Sequence, residues 1–266
     1  MPGTFNGTTL TISATPVDGA LIPDKSATNV AGIAIVGSDM YCVKTTGLKT
    51  TLLKTTDYMA TKATAVKKDL NWFALGLTKI GNYLYMLAED HKGYGGSTTI
   101  VKLDTKGNQL GTYSINEICP KGALGITAAD GTNEKFIIMH YADKSNAGTL
   151  AFSVVDWKAA EAASTFTVTN SGFGYTTRLQ DIYYHTSFGL FILTNNTFST
   201  LQNRILVVDY HLTDDKGKKY TPCSVINVNK TGEYKQYNLE SICMKANHLV
   251  LASNVITSLS LIHISE

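Results

Sequence analysis

Five short apolar segments recur along the chain, and each is followed by a turn and a run of β-forming residues. The central aliphatic residues of consecutive segments lie 44, 49, 56 and 60 residues apart. This spacing is typical of one four-stranded sheet per repeat, as in a β-propeller. The sequence therefore predicts an all-β propeller of about five blades with four-stranded antiparallel sheets. The segments are VAGIA at 30–34, ALGLT at 74–78, ALGIT at 123–127, LQDIY at 179–183 and LESIC at 239–243.

The strands that follow these segments indicate how the sheets pack. Residues 136–139 and 190–193 are continuous apolar runs and do not alternate with polar residues. Such runs predict strands covered on both faces, as in stacked propeller sheets. Glycine in the first three segments predicts a close approach of the innermost backbones. One stretch, 157–163, has a helical composition.

Length and composition restrict the class of protein. The 266 residues are long enough for one all-β domain, which we assign to 1–258. Charged residues make up 17% of the chain, below the roughly 25% of an average domain, and we expect an extracellular protein and a monomer. The net charge of +2 forms no basic stripe, which argues against nucleic-acid binding. No apolar run approaches the roughly 20 residues of a membrane helix, so we expect no membrane span.

The two ends of the sequence have features of their own. Residues 259–266 resemble the translation of a transposase adapter used in shotgun sequencing, as in a metagenomic fragment. We expect this tail to be non-native and the last blade to be truncated. No signal peptide is visible at the start. Residues 8–13 alternate with period two and could supply an outer strand that closes the ring.

The four cysteines give no metal or redox signature. Cys42, Cys119, Cys223 and Cys243 are far apart and include no C-x-x-C pair. Three of them lie within predicted strands, where a thiol packs as a small hydrophobic group. We expect core filling at Cys42, Cys119 and Cys243.

Polar residues enter the recurrent segments only in the last two repeats. Gln180, Asp181 and Glu240 stand where earlier repeats have small or aliphatic residues, with Arg178 and His185 nearby. If the innermost strands line an axial channel, these side chains lie near its mouth. Converging carboxylates could bind Ca²⁺ or act as general acid and base, with Asp181 and Glu240 as the candidate metal ligands or catalytic groups. The alternative is that each carboxylate accepts backbone N–H groups from the adjacent blade. No resident cofactor is otherwise predicted.

Further ligand-binding candidates lie at strand ends and in loops. We expect His140 and His185 to reach one rim, where a metal would need a third ligand such as Asp143 or Glu89. Hydrogen-bonded turn histidines are the alternative. Tyr94 and Tyr184 have amphipathic rings suited to contact with carbohydrate or peptide at a rim.

The segment 178–193, with its echo at 239–242 and 247–251, resembles bacterial secreted propellers whose repeats read acidic residue, small residue, aliphatic residue, turn and apolar–Tyr–apolar. Among these, the sequence is similar to the helveticin-like class III bacteriocins, and the third repeat at 122–156 has a similar outline. The resemblance implies an extracellular protein that acts on or binds to bacterial surfaces.

These observations lead to three hypotheses for function. The first is a non-enzymatic extracellular propeller that binds a glycan, a cell-wall component or a protein through rim loops. The second is a propeller lyase or hydrolase with a metal in the axial channel. The third is a structural interaction module of a larger surface protein. No nucleophile elbow, H-E-x-x-H or Walker-type motif favours a particular chemistry.

Overall fold

The computed structural model describes residues 9–22, 29–56, 63–90, 97–140, 149–169, 178–195, 203–212, 217–230, 238–245, 248–254 and 259–264. Strands 9–22 and 259–264 are described as backbone only. Within these ranges every regular element is a strand, and no helix has the length and hydropathy of a membrane crossing. The all-β expectation is confirmed.

The first three recurrent segments each begin a run of four successive antiparallel strands within one sheet. Repeat unit 1 consists of β2 (Asn29–Val36), β3 (Asp39–Thr46), β4 (Lys49–Thr55) and β5 (Thr64–Leu70). Repeat unit 2 consists of β6 (Phe73–Ile80), β7 (Tyr83–Glu89), β8 (Thr98–Leu103) and β9 (Gln109–Ser114). Repeat unit 3 consists of β10 (Ala123–Asp130), β11 (Lys135–His140), β12 (Thr149–Asp156) and β13 (Ser164–Thr169).

The last two recurrent segments open the two halves of one eight-stranded sheet. Repeat unit 4 has β14 (Arg178–His185), β15 (Gly189–Asn195), β16 (Asn203–Val208) and β18 (Ser224–Lys230). Repeat unit 5 has β19 (Asn238–Lys245), β20 (His248–Asn254), β21 (Leu259–Ile264) and the chain's first strand, β1 (Thr9–Ile22). The short β17 (Lys218–Tyr220) lies between β16 and β18 in the sequence. It is not part of the sheet of repeat unit 4 and instead pairs in parallel with β13 of repeat unit 3.

Strand β1 joins the two halves of that sheet. Its first part runs parallel to β18, with Thr9 opposite Val225, and its second part runs antiparallel to β21, with Thr15 opposite His263. The hydrogen bonds therefore define four sheets among the described strands. This count is close to the predicted number of about five blades. The backbone of the adapter-like tail pairs with β20 and β1. Its adapter origin stays a prediction.

The inner strands of the repeat units form a closed ring. Strand β2 contacts β6, β6 contacts β10, β10 contacts β14, β14 contacts β19, and β19 contacts β2. Five apolar clusters fill the spaces between consecutive units, and one of them joins the last unit to the first through Cys243, Val250, Ile33 and Cys42. Both faces of each sheet are thus covered. The propeller fold predicted from the recurrent segments is confirmed.

The middle strands supply most of the core. Phe136, Ile137, Ile138 and Met139 of β11 are all 0% exposed, because one side of the strand faces unit 2 and the other faces unit 4. Burying such side chains stabilises the fold by about 1.5–3 kcal/mol each. The expectation of core filling is also confirmed for Cys42, Cys119 and Cys243, which are buried free thiols.

Residues 157–163 form turns and bends, so the helical expectation for this stretch is wrong. Lys158 adopts a φ of 64°, outside the right-handed helical region. The backbone N–H groups of Trp157 and Ala163 donate to the carbonyls of Glu134 and Val154, where a helix would use bonds within the segment. Contacts with the sheet override the local alanine-rich composition.

Candidate functional site

Each inner strand contains one bulge close to its start. The register shifts between Val30 and Gly32 in β2 and at the equivalent place in the other four strands. The extra residue at each bulge is half-buried, while its sequence neighbours are mostly buried. We call these five residues the mouth, because they lie where the inner strands begin. They are Ala31, Leu75, Leu124, Gln180 and Glu240.

The mouth is polar on one side only. Units 1 to 3 place Ala31, Leu75 and Leu124 there, whereas units 4 and 5 place Gln180 and Glu240 on adjacent inner strands. An amide offers both donors and acceptors and a carboxylate offers acceptors. The structure thus brings together two of the predicted ligand-binding residues.

Asp181 lies directly behind the mouth and is 1% exposed. Its Oδ1 accepts the backbone N–H of Ile182 at 2.9 Å. Its Oδ2 accepts the Ser241 hydroxyl at 2.5 Å and the backbone N–H of Ile242 at 3.2 Å. Both carboxyl oxygens are therefore engaged by protein donors, as in the alternative that the sequence analysis left open. Asp181 therefore links units 4 and 5, and its oxygens are not free to contact a ligand as the sequence analysis expected.

Burial raises the pKa of Asp181 to about 8. Its three hydrogen bonds, from Ser241, Ile182 and Ile242, act in the opposite direction, and the nearby charge of Glu240 raises the pKa further. Burial and the charge of Glu240 thus favour the protonated carboxyl, whereas the three hydrogen bonds favour the ionised one.

Hydroxyl groups make similar links around the rest of the ring, which the sequence analysis missed. Thr78 accepts the backbone N–H of Ala128, and Thr127 accepts that of Tyr184, both at 3.0 Å. Ser241 accepts the backbone N–H of Ile33 at 3.0 Å. An inner strand leaves one edge of its backbone without a sheet partner, and these side chains satisfy part of that edge. The sequence does contain a signal for these links, because a threonine directly follows the central aliphatic residue at positions 78 and 127.

The two candidate histidines lie at opposite ends of the ring, so the prediction of one shared rim is wrong. His140 pairs with Ala123 at the start of β10, on the same side as the mouth. His185 ends β14 and pairs with Gly189 on the far side. The reason is strand direction, because β11 runs antiparallel to the inner strands while β14 is itself an inner strand.

Each histidine has a local role in its strand end. His140 Nε2 lies 2.9 Å from the Ser153 hydroxyl. His185 Nδ1 accepts the backbone N–H of Ser187 at 3.1 Å, and its ring packs on Phe188. Burial lowers the pKa of His185. The contact of His185 matches the turn histidine that the sequence analysis gave as the alternative, whereas His140 bonds to the neighbouring strand β12.

The other candidates are placed as follows. Tyr184 is buried, and its hydroxyl accepts the backbone N–H of Leu212 at 3.1 Å, so it does not reach a rim. The side chain of Arg178 and the whole of Tyr94 lie outside the described residues. No cluster of three or more His, Cys, Asp or Glu side chains with metal-binding geometry occurs in the described ranges.

The ring axis beyond the mouth is narrow. Its cavity has a volume of about 40 Å³ and is lined by the later parts of the five inner strands, including Ile33, Leu77, Ile126, Ile182 and Ile242. Such a volume holds a few water molecules, whereas ligand pockets commonly measure about 300–1,000 Å³. This cavity is therefore too small for a sugar or a peptide.

No protein-family model matches the sequence, and no curated protein matches it. Solved structures do resemble the fold. Glutaminyl cyclase from Myxococcus xanthus is 14% identical, with a TM-score of 0.56 over 97% of this chain and 98% of that one. An α-L-arabinofuranosidase from Podospora anserina, solved with cellotriose, is 9% identical, with a TM-score of 0.56 over 98% of this chain and 99% of that one.

An exo-β-1,3-galactanase from Phanerochaete chrysosporium, solved with β-1,3-galactotriose, is 10% identical with a TM-score of 0.59. The match covers 94% of this chain and 63% of the galactanase, so this chain spans less than two thirds of that protein. At these identities the likeness shows the propeller fold and leaves the function to be inferred from the site.

Proposed function

We propose that this protein is an extracellular propeller that binds carbohydrate across its mouth, with Gln180 and Glu240 as the polar contacts. The observation that carries the proposal is the pair of bulges that brings an amide and a carboxylate onto adjacent inner strands. Carboxylate and amide groups recognise neighbouring sugar hydroxyls through paired donors and acceptors. The solved propellers that contain sugar oligomers support this ligand class.

The proposal extends to a bacterial surface as the natural target and to secretion as a monomer. The low content of charged residues and the resemblance to helveticin-like proteins favour this setting. Cell-wall polysaccharide is then the first ligand to test, followed by the trisaccharides found in the similar structures.

The test is calorimetric titration with cellotriose and β-1,3-galactotriose, together with retention on purified bacterial cell wall. We expect Gln180→Ala and Glu240→Gln each to weaken binding about tenfold, because each removes a paired hydrogen bond. Glu161→Gln is the matched control, since Glu161 is an exposed carboxylate in the β12–β13 connection, away from the mouth. Equal binding by all four proteins, or no binding to any of the three probes, would overturn the proposal.

A second candidate is glycoside hydrolysis at the same mouth. It is favoured by the similarity to two glycoside hydrolases over almost the whole of this chain. Glu240 would then be the acid/base group, because Asp181 is engaged in the link between units. Release of reducing sugar that Glu240→Gln abolishes, with binding retained, separates this function from binding alone.

A metal-assisted version of that candidate has its own test. Ca²⁺ takes oxygen ligands, and Glu240 is the carboxylate at the mouth that could supply one. Elemental analysis of the purified protein shows whether a metal is bound. Ligand binding measured with and without EDTA shows whether that metal is needed. Binding that EDTA leaves unchanged favours the metal-free proposal.

A further inference from the structure

The mouth has an apolar side that is as well defined as its polar side. Leu75 and Leu124 occupy equivalent bulges on β6 and β10, and these two strands are in contact. Both side chains are half-buried, so part of each is accessible. Phe73, the first residue of β6, is also half-buried and brings an aromatic ring to the same end of unit 2. We call Phe73, Leu75 and Leu124 the apolar side of the mouth.

The apolar and polar sides lie across the ring axis from each other. The inner strands contact one another in the order of the five units, and the last contacts the first. In a five-membered ring, unit 2 lies opposite the contact between units 4 and 5. Leu75 in unit 2 therefore stands across the mouth from Gln180 and Glu240. A ligand that complements both sides has to carry polar groups on one side and apolar groups on the other.

Close packing holds the apolar side in place. Gly76 directly follows Leu75, and a Cβ there would lie 3.2 Å from Ile126 Cγ2 and 3.4 Å from Ile126 N. Leu75 packs against the apolar cluster between units 2 and 3, and Leu124 packs against the cluster between units 3 and 4. Both leucines thus stand on strands of the ring wall. Sites built on such strands hold a ligand more precisely than sites built on loops.

Pyranose sugars differ in whether their two faces are alike. In a β-glucopyranose every ring hydroxyl is equatorial, so both faces present C–H groups. In a β-galactopyranose the hydroxyl on C4 is axial, so one face presents an oxygen and the opposite face presents a patch of C–H groups. Such a patch packs on aromatic and aliphatic side chains, whereas an amide binds hydroxyls as donor and acceptor. The galacto configuration therefore matches a mouth with one apolar and one polar side.

We propose that the mouth selects galacto-configured pyranosides, with Leu75 and Leu124 as the specificity-determining residues. The apolar side packs against the C–H face of the sugar, and Gln180 binds the axial hydroxyl on the opposite face. This inference rests on the proposed function and deepens it by naming the class of sugar.

The first test uses two ligands that differ only at C4, methyl β-galactopyranoside and methyl β-glucopyranoside. We expect the galactoside to bind about tenfold more tightly in a titration followed by NMR, because the glucoside loses the hydrogen bond to Gln180. Saturation transferred from the protein should be strongest at the protons on C3, C4 and C5 of the galactoside. Equal affinities, or saturation spread evenly over both faces of the sugar, would overturn the proposal.

The second test replaces the apolar side. Leu75→Asn and Leu124→Asn should each reduce the preference for the galactoside to about twofold or less, because the polar side chain no longer favours a C–H face. Leu110→Asn is the matched control, since Leu110 is 51% exposed on β9 at the end of unit 2 remote from the mouth. A full preference in both folded variants contradicts the role of the leucines. If neither variant folds, the saturation pattern of the original protein decides the proposal.

A final comparison separates this inference from the proposed function. Binding of cellotriose and β-1,3-galactotriose with equal affinity, or binding to cell wall without any binding of galactosides, overturns the sugar selection and leaves carbohydrate binding standing. No binding of any glycoside or of cell wall overturns both.

Discussion

Gly125 and Asp181 share one space in the wall of the ring: a Cβ on Gly125 would lie 3.2 Å from Asp181 Oδ1 and 3.3 Å from Asp181 Cα. The inner strands of neighbouring repeat units are thus in backbone contact near the mouth. At Gly32 the approach is closer still, with the Leu77 backbone nitrogen 2.2 Å from where a Cβ would be.

Replacing these glycines with alanine should destabilise the fold, and the loss should be larger where the neighbouring atoms lie closer to the added Cβ. Overpacking costs about 1–3 kcal/mol, and we expect Gly32→Ala at the upper end and Gly125→Ala at the lower end. Gly131→Ala is the control, because no atom lies within 4 Å of its Cβ position. Urea unfolding measures all three, and a Gly131 variant as unstable as Gly32→Ala would contradict the close-approach explanation.

Thr127→Val tests the hydroxyl links between units. Valine keeps the shape of threonine but leaves the backbone N–H of Tyr184 without its acceptor in a buried site. We expect the free energy of unfolding to drop by about 1–3 kcal/mol. Thr127→Ser retains the hydroxyl and should lose less, so the reverse order would show that packing of the methyl group dominates.

Glu134→Gln tests an ionic link between units 2 and 3. Glu134 accepts hydrogen bonds from Lys102 Nζ and from the Tyr85 hydroxyl, and Lys102 also lies 4.5 Å from the centre of the Tyr83 ring. Because the ion pair is only partly buried, we expect a loss of about 1 kcal/mol.

Asp209→Asn is the comparison for that variant. The Asp209–His211 pair is largely exposed, and its loss should change stability by less than about 0.5 kcal/mol. Thermal unfolding of both variants at low and high salt gives the measurement. Similar losses at the two sites would mean that burial does not strengthen the link at Glu134.

Removal of residues 1–28 tests the role of β1. The deletion leaves the backbone edges of β18 and β21 without the partner that both have in the ring. Exposed sheet edges pair with other chains, so we expect association that size-exclusion chromatography detects. A shortened protein that stays monomeric and unfolds at the same temperature would show that β1 adds little.

The architecture was predictable because its signal is local and repeated. The apolar segments at 30–34 and 123–127 become inner strands, and the continuous run at 136–139 becomes a strand buried on both faces. Glycine in these segments correctly indicated backbone contact, since a missing side chain matters mainly where two chains touch.

The site was predictable only in part, because it depends on strand direction and register. Gln180 and Glu240 were identified from their place in the recurrent segments, and the structure puts them at equivalent bulges. The histidines were misplaced because β11 and β14 run in opposite directions, which the spacing of His140 and His185 along the sequence does not reveal. The hydrogen bonds of Asp181 involve Ser241, a residue distant in sequence that only the closed ring brings near.

The strand β1 makes assembly of this ring a late event. Thr9 is synthesised long before Val225, which lies opposite it in β18, so the growing chain has to hold β1 apart from this partner until repeat unit 4 exists. Long-range pairing of this kind is slow, and we infer that docking of β1 is the step that limits how fast the protein reaches its native state.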